Sequence, residues 1–305
     1  MSREKTKPEA VQTTGHSWDG DLQEFNNPLP RWWLWSFYAT VVFALVYWFM
    51  YPSWPVGNDY LKGLASVSYT AEDGSEVETH WNTRSLLMRE MQEAEADQAQ
   101  YLEQLQTANY QQIASDPSQS SFAYSRAKVL FADNCAACHQ EGGAGVIGMY
   151  PNLADDAWLW GGSHQAIEQT VRQGRRGFMP AFGQSLNGEQ LDAVASYVLS
   201  LSGHEVETAA AEQGREIFNG PTGGCFYCHT TEGTGLESQG AADLTDSVWT
   251  VADVPGADTI EAKLAAVRGV VRDGVTREMP SWAGRLSETE IKILTFYVHE
   301  LGGGS

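Results

Sequence analysis

Cysteine is nearly absent from this chain: four residues in 305, too few and too clustered for a disulfide scaffold. Positive charge is scarce as well, with 19 Lys and Arg against 39 Asp and Glu and a net charge of −20. Nucleic acid is therefore an unsuitable partner, since its phosphates need Lys and Arg. The acidic surface suits a basic protein partner, whose complementary field raises the encounter rate, or it simply keeps the protein soluble. Also missing is any pattern like a Ser/His/Asp triad, a phosphate loop or a pair of catalytic carboxylates, so no catalytic centre is expected. Hydrophobic residues make up 42% of the chain, enough for packed cores and too many for a disordered protein.

The four cysteines fall in two identical settings, Cys135-x-x-Cys138-His139 and Cys225-x-x-Cys228-His229. Cys-x-x-Cys-His is the attachment pattern of c-type haem. Its two thiols add to the haem vinyl groups, and the adjacent His reaches the iron as proximal ligand. A zinc knuckle would need further Cys or His at tetrahedral spacing. A thioredoxin-like pair would not require the His and favours a βαβ setting. The expected cofactors are thus two covalently bound haem c groups. Haem attachment takes place outside the bacterial cytoplasm, which puts both motifs on the periplasmic side.

One long uncharged run is present, the twenty residues from Trp32 to Tyr51. As a helix it extends about 30 Å, the thickness of a bilayer's hydrocarbon core. Trp32, Trp33 and Trp35 mark one end, and Tyr47, Trp48, Tyr51 and Trp54 the other, as interfacial aromatics do. Pro30 and Pro52 punctuate the run. Pro52-Ser53-Trp54-Pro55 is unlike a small-residue cleavage site, which argues against a removed signal peptide. Arg3, Lys5, Lys7 and Arg31 precede the run, against Lys62 soon after it, which favours a cytoplasmic N-terminus. The expectation is a single-pass protein of the bacterial inner membrane with periplasmic haem domains.

The fold class expected is mainly α. Residues 1–31 form a cytoplasmic tail, 32–51 the transmembrane helix, and 52–117 a periplasmic linker. The linker holds a short hairpin around Asp73-Gly74 and an amphipathic helix over Thr83–Ala114, stopped by Asp116-Pro117. The remainder is an internal repeat, taken as domains at 118–204 and 205–305. Val171-Arg172-x-Gly174, Met179-Pro180 and Tyr197-Val198 recur 100 residues later as Val271-Arg272-x-Gly274, Met279-Pro280 and Tyr297-Val298. The cysteine motifs are only 90 apart, so the second repeat carries ten extra residues, assigned to Thr250–Thr259. Asn187–Gln190 and Ser287–Glu290 read as capping boxes opening the last helix of each repeat. The small residues Ala127 and Gly214 would let each repeat's first helix cross its own last helix closely.

A six-coordinate electron-transfer haem needs a second axial ligand, and Met179 and Met279 stand at matching places in the repeats. A thioether favours ferrous iron and raises the potential relative to a second His. Met149 has no counterpart in the second repeat, and His164 is the alternative to Met179. Arg172 and Arg272 are placed to pair with haem propionates, as bidentate carboxylate partners, with Arg175 or Arg277 in reserve. A backbone carbonyl near Pro151 or Ala242 can accept the proximal His ring N–H, Ala242 less rigidly, so two unequal potentials are expected.

The repeat resembles two tandem class I cytochrome c domains, each a small helical bundle around one haem. Trp18-Asp19-Gly20, Glu24 and the run Asn26-Asn27-Pro28-Leu29-Pro30-Arg31-Trp32-Trp33 resemble the membrane entry of the CcoP/FixP family, the dihaem subunit III of cbb3-type cytochrome c oxidase. The resemblance implies His139 with Met179 and His229 with Met279 as iron axial pairs. It also implies partners: a catalytic haem–copper subunit, a monohaem cytochrome c subunit, a soluble or membrane-bound donor cytochrome c, and membrane lipid. Electrons would pass from the donor through the monohaem subunit to the oxygen-reducing centre. A freestanding membrane-anchored dihaem shuttle, serving another dehydrogenase or reductase, is the alternative. A dihaem peroxidase is a third reading, disfavoured because a Met at each iron leaves no open position.

Overall fold

The computed structural model describes residues 12–302 and divides into two units, Met1–Asp97 and Gln98–Ser305. Arg3, Lys5 and Lys7, used above for orientation, lie outside the described residues.

In the first unit an exposed hairpin, β1 (Thr13–Trp18) and β2 (Leu22–Phe25), precedes α1 (Arg31–Met50). No residue of α1 is buried by its own chain. A 20-residue helix of mean hydropathy 1.5 over its apolar window, with no covering partner, is what a bilayer-facing segment requires. Its aromatic ends are organised: Trp48 packs edge-on against Trp54, and Tyr51 against Trp81. The amides of Leu64 and Ala65 donate to the carbonyls of Phe49 and Met50, so the chain beyond the helix folds back onto its end. Two short hairpins follow, β3 (Pro55–Val56) with β4 (Asp59–Tyr60), and β5 (Ser66–Thr70) with β6 (Glu76–His80). The second turns at Asp73-Gly74, where the sequence placed it.

The helix expected over Thr83–Ala114 is broken into α2 (Thr83–Thr107) and α3 (Tyr110–Ser115). Asn109 breaks it by forming a reciprocal capping box with Gln112. Asp116-Pro117 ends α3 and also starts α4 (Pro117–Asn134), with the Asp116 carboxylate capping Ser118 and Gln119 and Pro117 at the first helical position. Leu105 and Ile113 are fully buried in the core of the second unit.

Each repeat then lays out the same elements. The first has α5 (Ala136–His139), α6 (His164–Gln173), β7 (Arg175–Met179) and α7 (Gly188–Leu201). The second has α8 (Thr208–Asn219), α9 (Phe226–His229), α10 (Ile260–Asp273), β8 (Val275–Met279) and α11 (Glu288–Leu301). The ten extra residues form the loop before α10, where Ala252 and Val254 are buried.

The packing of these elements departs from the expectation that each repeat closes on itself. α7 packs on α8 and α10, while α11 packs on α4 and α6. One core holds Ala127, Leu130 and Phe131 of α4, Ile167 and Val171 of α6, and Ile291, Leu294 and Val298 of α11. The other holds Leu191, Val194 and Val198 of α7, Ile217 and Phe218 of α8, and Val267 and Val271 of α10. The repeats run in sequence as expected, yet each bundle takes its last helix from the other repeat. Gly214 does admit a close helix crossing, but onto α7: an added Cβ would lie 2.6 Å from the Ala193 carbonyl carbon and 2.8 Å from Tyr197 Cβ.

The crossover is made at β7 and β8, which pair antiparallel. Gly177 faces Arg277, the same position in the two repeats, so the exchange has a local two-fold character. The physical reason is the repeat itself. Two near-copies of a docking surface accept either copy of the segment that follows, as in domain swapping.

Candidate haem-attachment sites

Both motifs sit on a single helical turn that starts at the first cysteine. In each pair one cysteine is half-buried and the other exposed. Burial pushes Cys135 and Cys225 up to about 11, with the neighbouring Cys138 and Cys228 adding to it.

The two histidines are held alike. His139 Nδ1 donates to the Pro151 carbonyl at 3.1 Å, and His229 Nδ1 to the Ala242 carbonyl at 2.9 Å. Those are the carbonyls to which the sequence pointed. With Nδ1 committed, Nε2 is left as the ligating nitrogen. Burial lowers both imidazole pKa values, only partly offset by the carbonyls, which favours the neutral form that a metal ligand needs. The carbonyls are fixed by matching loops. The Gly145 and Gly235 amides donate to the carbonyls of His139 and His229, and those of Leu153 and Leu244 to Gly143 and Gly233.

The methionines lie at the crossover. Gly174, with φ of 72°, ends α6 so close to the Met279-Pro280 segment that an added Cβ would be 2.8 Å from the Pro280 carbonyl carbon. Gly274, φ of 70°, ends α10 against Met179-Pro180 in the same way. Only glycine tolerates both demands. The segment after Met179 is tied to α10, with Phe182 and Gly183 donating to Val271 and Arg272; the segment after Met279 is tied to α6, with Trp282 and Ala283 donating to Val171 and Arg172. Met179 accordingly packs on the core that contains Phe218, together with Cys225.

The arginines singled out for propionates have protein partners. Arg172 pairs with Glu168 at 2.7 Å and with Glu288, and Arg272 with Asp273 at 2.6 Å. Of the two in reserve, Arg175 stacks over Trp160 and donates to Thr170, and the half-buried Arg277 donates to the Thr250 carbonyl. His164 is stacked between Tyr110 and His299, at ring distances of 4.2 and 3.7 Å, on the helix start rather than at the methionine segment.

The two sites are neighbours. Ala144, Tyr150 and Asn152 of the first share one cavity with Trp249 and Thr250 of the second, and the Gly148 amide donates to the Thr250 carbonyl. The residues fit haem c: each motif offers two thiols and an imidazole held through Nδ1, and each repeat carries one Met-Pro segment that could supply a thioether.

Comparison with known proteins agrees with this chemistry. Residues 10–58 match the family described as the N-terminal domain of cytochrome oxidase-cbb3, FixP. Residues 122–198 and 209–298 each match the family described as cytochrome c oxidase, cbb3-type, subunit III. The chain is 41% identical to the cbb3-type cytochrome c oxidase subunit FixP of Azorhizobium caulinodans, covering 96% of this chain and 93% of that one. It is 39% identical to subunit CcoP of Cereibacter sphaeroides over 98% of both chains. Identity to subunit FixP of Bradyrhizobium diazoefficiens is also 39%, over 96% and 95%.

Proposed function

The chain belongs to the family of subunit III of the cbb3-type cytochrome c oxidases, and from that membership we propose how it serves as the electron-transfer subunit of such an oxidase. It carries two haem c groups, one covalently attached through Cys135 and Cys138 and one through Cys225 and Cys228. His139 and His229 are proximal ligands, and Met179 and Met279 the distal ones. A haem c in each site supplies a one-electron ferric/ferrous couple of raised potential, owing to the thioether.

The chain's own residues do three things for that couple. Pro151 and Ala242 hold each imidazole in one orientation and raise its basicity. The Gly174 and Gly274 turns present the methionine segments rigidly, so little rearrangement accompanies a change of charge. The apolar walls, with Phe131 and Tyr297 on one side and Tyr197 and Phe218 on the other, keep water from the buried face. No residue of this chain performs oxygen chemistry; that belongs to a partner haem–copper subunit, reached through a monohaem subunit.

α1 anchors the subunit with its N-terminus cytoplasmic and the second unit periplasmic. The acidic surface, with net charge −20, attracts a basic donor cytochrome c. The observation that carries this reading is the matched pair of attachment motifs with identically buttressed histidines. Gentle detergent purification with haem and subunit analysis tests it. The chain should co-purify with b-type haem and copper, whereas emergence alone as a dihaem protein would refute the oxidase assignment.

A further inference from the structure

We infer that Arg277 is the residue that meets a haem propionate, a role first expected of Arg172 and Arg272. This rests on the haem c reading and goes beyond it, because it names a charged group that sets a potential without touching the iron.

Arg277 lies on the ribbon face that carries the methionines. Side chains alternate along a strand, and paired residues of an antiparallel ladder share a face. Arg175, Gly177 and Met179 of β7 therefore share a face with Val275, Arg277 and Met279 of β8, and these are the less exposed positions of both strands. Gly177 stands directly opposite Arg277. A Cβ added there would meet nothing within 4 Å, so the face is open at that point.

Charge separates Arg277 from the other arginines of the second unit. Arg126, Arg172 and Arg268 are half-buried, and each pairs with a carboxylate. Among the described residues, Arg175 and Arg277 are the half-buried arginines of that unit that meet none. Arg175 is compensated otherwise: its guanidinium lies 4.9 Å from the Trp160 ring centroid, Nε donates to Thr170 and Nη2 to the Ala166 carbonyl. Arg277 has the Thr250 carbonyl, reached from Nη2 at 3.1 Å, which leaves most of the donors of its fork for another acceptor. Half-burying a cation costs free energy unless an anion answers it. A carboxylate that takes two parallel N–H bonds fits the fork best, and haem carries its carboxylates as propionate side chains. The Thr250 carbonyl also accepts the Gly148 amide, and Thr250 lines the cavity shared by both sites, so Arg277 is anchored where the two sites meet. The first repeat has Gly177 in place of this arginine, so the charge is added once rather than once per repeat.

The test is a redox titration of the solubilised full chain at about pH 8 and about pH 5, with haem counted on the same sample by pyridine haemochrome. Arg277→Gln keeps a donor for Thr250 and removes the charge. It should lower one of the two waves by about tenfold in the ferrous-to-ferric ratio at fixed potential, about 59 mV for a one-electron couple. The deficit should shrink toward the acid end, where the released propionate takes up a proton, and Arg277→Lys should recover most of it. Arg272→Gln, which breaks the pair with Asp273, should leave both waves in place. Unmoved waves in Arg277→Gln, a shift equal at both pH values, or a shift produced by Arg272→Gln instead, each overturn the assignment. A wild-type chain without two haem c groups sinks the haem reading itself, a failure that the haemochrome count registers separately. Should Arg277→Gln fail to fold, Gly177→Asp decides, because it sets a rival carboxylate opposite Arg277 at a position with room for it. One wave should then fall, and unmoved waves overturn the proposal.

Discussion

Gly214→Ala is a sharp test of the packing that builds the second site. In an unpacked helix this change would stabilise by about 1 kcal/mol through helix propensity. Here the new methyl would lie 2.6 Å from the Ala193 carbonyl carbon and 2.8 Å from Tyr197 Cβ, and closer still to the Ala193 carbonyl oxygen. That neighbour is helical backbone, which cannot swing aside, so α7 and α8 must move apart. Overpacking of this kind costs about 1–3 kcal/mol. A collision with rigid backbone belongs at the upper end, leaving a net loss of about 2 kcal/mol once propensity is subtracted. For a unit the size of Gln98–Ser305, that lowers Tm by about 4–8 °C. Gly269→Ala is the internal control, because an added Cβ there meets nothing within 4 Å. It should hold or raise Tm. Thermal melts of the solubilised protein followed by far-UV circular dichroism compare the two. Equal or inverted shifts would refute the close α7–α8 crossing.

Three further outcomes are expected. Burial first, then the charges of neighbouring aspartates, raises the pKa of Asp155 and Asp246. A raised carboxyl contributes its stability below about pH 4 and loses it as pH rises through the folded-state pKa. Asp155→Asn should therefore stabilise at neutral pH, by at most about 1 kcal/mol after solvent screening, with the gain fading toward pH 4 in melts across that range. Ser287→Ala removes the capping box of α11 and should cost about 1 kcal/mol, read by chemical denaturation. The proximal imidazoles donate to different carbonyls, His139 to Pro151 and His229 to Ala242, so the two sites should differ in potential. A redox titration should resolve two one-electron waves, and a single shared wave would contradict this.

Much of this was legible in the sequence. The motifs, the charge-free anchor, both capping boxes and the extra loop before α10 follow from residue type and spacing, which are local signals. The break at Asn109 was equally local, and an Asn three residues before Gln112 marks it. The exchange was not legible from hydrophobic pattern. Tyr197-Val198 and Tyr297-Val298 present the same apolar face, so periodicity cannot say which copy a helix joins. β7 and β8 were missed because Arg175, Gly177 and Arg277 occupy the less exposed positions of the two strands, where a half-buried strand would carry apolar residues. They form a ladder only because the exchange brings them together.

This subunit is read as holding two covalently attached one-electron centres. The intact mass of the denatured chain, purified from cells competent for c-type haem attachment, tests it most directly. The expected mass is that of the polypeptide plus two haem groups, falling to one in Cys225→Ala/Cys228→Ala. A chain with one haem or none, from cells in which other c-type cytochromes are fully loaded, would contradict it.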